Sequence, residues 1–143
     1  MMKQSKKILL LFCLSLLTAP CAWANEISVT NPWIREAPPV AEMFAAYMTI
    51  SNNSKQTMQL ESVTSAEIEM VEIHRTETHA GLSRMIKQSS LQIESGENVT
   101  LEPGGYHLML MKPKRYLQEG DKVMLELHFN NGEAINVTAV VRK

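Results

Sequence analysis

Four side chains in the second half of the chain have types and spacing that suit metal binding: His74, Met85, His107 and Met109. Ten residues separate His74 from Met85, twenty-one separate Met85 from His107, and one separates His107 from Met109. Residues two apart in an extended strand point to the same face, so His107 and Met109 would lie side by side. Met111 would share that face.

Two imidazoles and two thioethers make a soft, uncharged donor set. Thioether sulfur binds hard cations such as Mg²⁺ or Ca²⁺ poorly, and Zn²⁺ prefers cysteine, histidine or carboxylate. Methionine ligands select Cu(I). A blue-copper site needs a cysteine thiolate. The two cysteines, Cys13 and Cys21, both lie in the N-terminal segment that we expect to be cleaved off, so the remaining domain has no thiolate to offer. The four residues therefore predict a Cu(I) site.

The same residues also have an ordinary structural explanation. Methionine is a common core filler, and a histidine on the polar face of a strand is usually solvated. In that alternative Met85 and Met109 pack in the core, and both histidines are surface residues. Four other side chains are assigned no metal role: Met48 and Met58 are predicted core residues, whereas Met124 and His128 point outward.

The N-terminus has the pattern of a secretory signal peptide. Lys3, Lys6 and Lys7 form a basic region, residues 8–17 form a short apolar run, and Ala22-Trp23-Ala24 offers a cleavage site. We expect cleavage after Ala24, which leaves residues 25–143 as one exported domain. Lipidation at Cys21 is the alternative, although Pro20 fits poorly before a lipidated cysteine.

Composition limits the class of protein. Removing three lysines from 14 basic residues leaves 11 against 15 acidic ones, a formal charge of −4, so nucleic acid is an unfavourable partner. No Ser-His-Asp order with a nucleophile elbow, no paired-carboxylate signature and no glycine-rich phosphate loop is present in the sequence. The sequence therefore favours a binding protein over an enzyme.

Short alternating segments separated by Gly, Pro and Asn turns must position the four residues. Such spacing is typical of an antiparallel β-sandwich or small barrel. Asn131-Gly132 predicts a type I′ hairpin between the last two strands. The predicted strands besides the run that ends at Met111 are Glu26–Thr30, Met43–Ser51, Thr57–Ser65, Glu67–Thr78, Leu82–Gln88, Leu91–Ile93, Asn98–Leu101, Val123–Phe129 and Ile135–Val141.

The four-residue spacing resembles the signature of the PCuAC family of periplasmic copper chaperones. The segments Trp33–Pro39, Ala46–Asn52, Leu101–Leu110 and Leu117–Asp121 resemble family segments in the same order. The resemblance implies an all-β, cupredoxin-like Greek-key β-sandwich that binds one Cu(I) through His74, Met85, His107 and Met109. Met111 is outside the signature and is expected to play a supporting role.

The resemblance also implies a location and partners. It places the protein in the periplasm and implies delivery of copper for assembly of the cytochrome c oxidase copper centre. The acceptor would be an oxidase subunit or an SCO-type thiol protein. Two other functions stay open at this point: copper sequestration for tolerance, and a metal-free β-sandwich that binds another protein or an envelope component.

Overall fold

The computed structural model describes residues 25–143, and the predicted signal peptide, residues 1–24, lies outside them. Nothing in the described part of the chain forms a helix with the length and apolarity that a membrane crossing requires. The strands are β1 (Ile27–Arg35), β2 (Met43–Asn52), β3 (Met58–Thr64), β4 (Ile68–His79), β5 (Leu82–Gln88), β6 (Leu91–Ile93), β7 (Asn98–Leu101), β8 (Tyr106–Pro113), β9 (Lys122–Phe129) and β10 (Ala134–Arg142).

The strands are hydrogen-bonded in the order β5-β4-β8-β2-β1-β10-β9-β3-β6, and β7 pairs with β2. Neighbours are antiparallel except for β1 and β10, which run parallel. That single parallel pair departs from the purely antiparallel sandwich predicted from the sequence. All ten strands belong to one continuous sheet, in which this pair connects the half that carries β4, β8 and β2 to the half that carries β9, β3 and β6.

The hydrophobic core is formed by residues from both halves of this sheet. Leu108 and Leu110 of β8 are fully buried in it, together with Ile73 of β4 and Phe44 of β2. Because successive side chains of a strand point to opposite faces, the residues that alternate with these four point away from the core. Met48 and Met58 are buried, as predicted.

Strand β1 is longer than the sequence predicted. The expected end at Asn31-Pro32 is wrong, because the strand continues through this dipeptide to Arg35. Asn31 has φ 52°, and the register with β2 shifts between Thr30 and Trp33. A bulge leaves residues out of the regular ladder, so Pro32, which has no N–H to donate, is accommodated there.

The β9–β10 hairpin forms where Asn131-Gly132 predicted it, but the turn is not type I′. A type I′ turn needs positive φ at both central residues, whereas Gly132 has φ 85° and Asn131 is not in that region. The Gly132 amide donates to the carbonyl of Phe129 (3.0 Å), and the Phe129 amide donates to that of Glu133 (2.9 Å). Only Gly132 therefore uses the left-handed conformation that glycine adopts freely.

Candidate metal centre

The centre is built on the pairing of β4 with β8. His74 lies directly opposite His107, and on the same face Glu72 lies opposite Met109. On the other side of β4, Thr76 lies opposite Met85 of β5. The alternation that sends Leu108 and Leu110 into the core sends His107 and Met109 to the outer face of the sheet.

A tight turn immediately before β8 positions His107 on this face. Gly104 has φ 86°, a conformation that glycine adopts without a steric penalty. The Gly105 amide donates to the carbonyl of Glu102 (3.0 Å), and the Glu102 amide donates to that of Tyr106 (2.9 Å). The Thr76 amide donates to the Gly105 carbonyl across the strands (3.0 Å), which ties the turn to β4.

His107 is almost completely buried, with 3% of its surface exposed. Its Nδ1 lies 3.3 Å from the carbonyl oxygen of Gly105, which can only accept, so Nδ1 carries the proton. Nε2 is buried and has no hydrogen-bond partner. Burial lowers the pKa of His107, the Gly105 contact raises it by less, and the nearby His74 lowers it further. The ring therefore presents a neutral, lone-pair-bearing Nε2.

His74 is oriented by a carboxylate. Its Nε2 donates to Glu72 Oε2 (2.8 Å), and the other oxygen of Glu72 accepts from Lys87 Nζ (2.6 Å). The hydrogen bond from His74, and then that from Lys87, lowers the pKa of Glu72. The remaining ring nitrogen of His74, Nδ1, is buried without a partner. A carboxylate that holds a histidine in one tautomer is a common arrangement behind metal-binding histidines.

The two free nitrogens belong to neighbouring rings, whose centroids are 5.8 Å apart. A buried acceptor without a donor costs about 1–3 kcal/mol, and this face holds two of them. An electrophile bound between the rings would satisfy both lone pairs. The donor chemistry of His74 Nδ1 and His107 Nε2 therefore fits a metal ion.

The two predicted methionines lie on the same outer face. Met109 is half-buried and sits diagonally across from His74, whereas Met85, also diagonal to His74, is 59% exposed on the β4–β5 hairpin. Neither is part of the hydrophobic core. The alternative in which both methionines pack in the core and both histidines are surface residues is therefore wrong.

The composition of the face limits the metals it suits. Within residues 25–143, no three histidine, cysteine or carboxylate side chains gather in a group that could hold a metal ion. Met109 and Met85 are the thioethers diagonal to His74 on this face, and thioether sulfur favours a soft ion.

Sequence reasoning missed three residues around the centre. Glu72 could have been found, because it lies two residues before His74 and must share its face. Tyr47, whose ring centroid is 6.5 Å from that of His107, and Trp33, whose ring packs against Tyr47 at 4.7 Å, depend on strand pairings that no local pattern reveals.

These features define a β-sandwich with a candidate soft-donor metal centre on the outer face of the β4–β8 pair. The chain belongs to the LpqE-like family, described as putative lipoproteins, whose sequence model matches residues 27–141. A putative lipoprotein of Leifsonia xyli subsp. xyli is 30% identical over 124 residues, which cover 86% of this chain and 74% of that protein. An uncharacterized protein of Rickettsia prowazekii is 32% identical over 117 residues, covering 78% of this chain and 65% of the relative.

Solved structures share the fold. The Cu(I) form of DR1885 from Deinococcus radiodurans is 31% identical, with a TM-score of 0.64 over 82% of this chain and 76% of that one. The copper-bound PCuAC domain from PmoF2 is 22% identical, with a TM-score of 0.70 over 82% of this chain and 92% of that domain. The predicted cupredoxin-like β-sandwich and the resemblance to the PCuAC family are confirmed.

Proposed function

We propose that this protein is a copper(I) metallochaperone that holds one Cu(I) at His74, Met85, His107 and Met109. The observation that carries the proposal is the pair of buried, unpartnered nitrogens, His74 Nδ1 and His107 Nε2. Thioethers beside them favour Cu(I) over harder ions. The likeness to DR1885, whose solution structure is of a Cu(I) form, supports the same metal here.

The residues have distinct roles in this function. His107 and His74 supply neutral imidazole nitrogens, oriented by the Gly105 carbonyl and by Glu72. Met109 supplies a partly shielded thioether. Met85 supplies an exposed one, which gives an incoming acceptor access to the ion. Copper leaves by ligand exchange, in which acceptor side chains replace these donors one at a time, and no bond of the protein is broken.

The donor set also suits release. Its four ligands are neutral, whereas an acceptor with cysteine thiolates offers charged, softer sulfur that Cu(I) prefers. Transfer to such thiolates is therefore favourable. This direction of transfer supports an acceptor of the kind expected from the sequence, either an SCO-type thiol protein or a copper-centre subunit of cytochrome c oxidase. Binding and transfer, rather than catalysis, are the function of the centre.

We further propose that the protein acts outside the cytoplasm, in the periplasm, after export by the segment 1–24. The description of its family as putative lipoproteins keeps lipidation at Cys21 as the competing outcome. The intact mass of the protein purified from its native envelope separates the two. A chain that begins at Asn25 supports cleavage after Ala24, whereas a lipid-modified chain that begins at Cys21 contradicts it.

Cu(I) titration against a chromogenic competitor, under anaerobic reducing conditions, tests the metal assignment. We expect the wild type to bind one Cu(I) tightly and His107→Ala to lose about 100-fold or more in affinity. His79→Ala, which removes an exposed histidine at the end of β4, is the control and should bind as the wild type does. Equal affinity of wild type and His107→Ala would refute the assignment.

A deletion strain tests the destination of the copper. Loss of cytochrome c oxidase activity that added copper restores supports delivery to the oxidase. Normal oxidase activity with increased sensitivity to copper would instead show sequestration.

A further inference from the structure

A row of three methionines crosses the outer face of the sheet beside the candidate centre. Met43 of β2 lies directly opposite Met111 of β8, and Met111 lies directly opposite Met70 of β4. Two residues away along each of these strands, on the same face, Ala45 of β2, Met109 of β8 and Glu72 of β4 lie opposite one another in the same way. Three thioethers therefore occupy adjacent positions on three adjacent strands.

The exposure of this row is unusual for methionine. Met43 is 60% exposed and Met70 is 48% exposed, and Met111 between them is half-buried. A single exposed methionine, such as Met124 on β9 at 56%, needs no explanation. Three methionines at directly opposed positions are different, because they bring three sulfur atoms to one place.

The geometry of the row allows the sulfur atoms to meet. Directly opposed residues on neighbouring antiparallel strands have Cβ atoms about 4.5–5.5 Å apart. The flexible side chains of Met43 and Met70 can therefore lean toward Met111 from either side. Lys112, with φ 52°, donates its amide to the carbonyl of Glu42 (2.8 Å), which holds the end of β8 against the start of β2.

We propose that Met43, Met70 and Met111 form a second site for Cu(I), with three thioether ligands. Thioethers select Cu(I), and this ion accepts few ligands, so three sulfur atoms suffice. The site lacks an imidazole and lies exposed, so it binds more weakly than the histidine centre. Met111 is thus a ligand of its own site, and not merely a supporting residue as the sequence suggested.

The row lies next to the histidine centre, so the second site can supply copper to it. Met109 lies between Met111 and His107 on β8, so the thioethers run from the exposed row to the histidines. Copper captured at the row has a short path into the centre. This use of the second site rests on the proposed function, whereas the existence of the site depends on the three methionines alone.

NMR of protein labelled with ¹³C at the methionine methyl groups tests the site directly. Cu(I) is added anaerobically with ascorbate, up to several equivalents. We expect the methyl signals of Met85 and Met109 to shift with the first equivalent and those of Met43, Met70 and Met111 with the second. Met124, which is comparably exposed on β9, is the internal control and should not shift.

A triple variant, Met43→Leu with Met70→Leu and Met111→Leu, provides the matched test. Leucine keeps the apolar volume and removes the sulfur, so the fold should be unchanged by circular dichroism. Bound copper should fall from two ions per chain to one. Two ions bound by this variant, or row methyl signals that do not shift beyond the first equivalent, would overturn the second site.

The outcomes separate this proposal from the proposed function. In His107→Ala, the row signals should still shift with Cu(I) although the tight site is lost. Shifts at the row without any at Met85 or Met109 in the wild type support the second site and reject the histidine centre. If the row signals respond only to a partner protein and not to Cu(I), the patch is a docking surface and the second site is rejected.

Discussion

His74 and His107 lie directly opposite each other on β4 and β8, with ring centroids 5.8 Å apart. Each ring has one nitrogen hydrogen-bonded to an acceptor two residues earlier in the chain, the Glu72 carboxylate for His74 and the Gly105 carbonyl for His107. The other nitrogen of each ring is thereby left as a free acceptor. Local contacts fix the tautomers, and the strand pairing brings the two lone pairs to one place.

Replacing Glu72 by glutamine should weaken Cu(I) binding without removing a ligand. The amide can still accept from His74 Nε2, but the negative charge beside the ring is gone, and the ion pair with Lys87 (2.6 Å) is lost. Comparable substitutions of residues that hydrogen-bond to metal-binding histidines weaken metal binding about 10–100-fold. Competitive Cu(I) titration measures the loss.

Glu77→Gln is the control for this change, because Glu77 lies on the same strand and pairs only loosely with Arg75 (3.9 Å). It should bind Cu(I) as the wild type does. Equal losses in the two variants would mean that general surface charge, and not the orientation of His74, sets the affinity.

The lowered pKa of His107 predicts how the copper-free protein responds to acid. Its folded-state pKa lies below the ordinary value of 6.5, so the unfolded chain takes up a proton at higher pH than the folded one. Stability rises with pH wherever the unfolded state binds more protons. As the pH falls from 6.5 to the folded-state pKa of His107, proton uptake at this residue lowers the free energy of unfolding. Above pH 6.5 it has no such effect.

Urea unfolding at pH 7.5, 6.5 and 5.5 checks this dependence. We expect the wild type to lose more stability between pH 6.5 and 5.5 than His107→Gln, which cannot take up the proton. The other titratable groups are common to both proteins and cancel in the comparison. Parallel loss of stability in the two proteins would contradict the assignment.

Sequence alternation predicted the strands and the side on which each residue lies, because the two-residue period is a local property of the backbone. It therefore placed His107 beside Met109. The pairing of β4 with β8 is not local, since other strands intervene in the chain, and no pattern within either strand specifies its partner. The row of Met43, Met70 and Met111 was missed for the same reason: each residue comes from a different strand.

Leu108→Ala should destabilise the fold that positions the centre. Leu108 lies between His107 and Met109 in the sequence and is fully buried on the core side of β8. Removing a buried leucine side chain costs about 2–5 kcal/mol. Urea unfolding followed by Trp33 fluorescence measures the loss. Leu82→Ala, at an exposed position of β5, should stay within about 0.5 kcal/mol of the wild type, and a similar cost for both would place Leu108 outside the core.

Met85→Leu tests the ligand whose position is least constrained by the fold. Met85 is opposite Thr76, so β4 separates it from His107 and Met109, and it reaches the centre only if its exposed side chain folds back over His74. Leucine keeps the volume, so the unfolding free energy should change by less than about 0.5 kcal/mol, as for Met124→Leu. If Met85 is a ligand, its loss should weaken Cu(I) binding by about 10-fold or more, whereas Met124→Leu should leave it unchanged. Wild-type affinity in Met85→Leu would reduce the centre to His74, His107 and Met109, a three-coordinate set that Cu(I) also accepts.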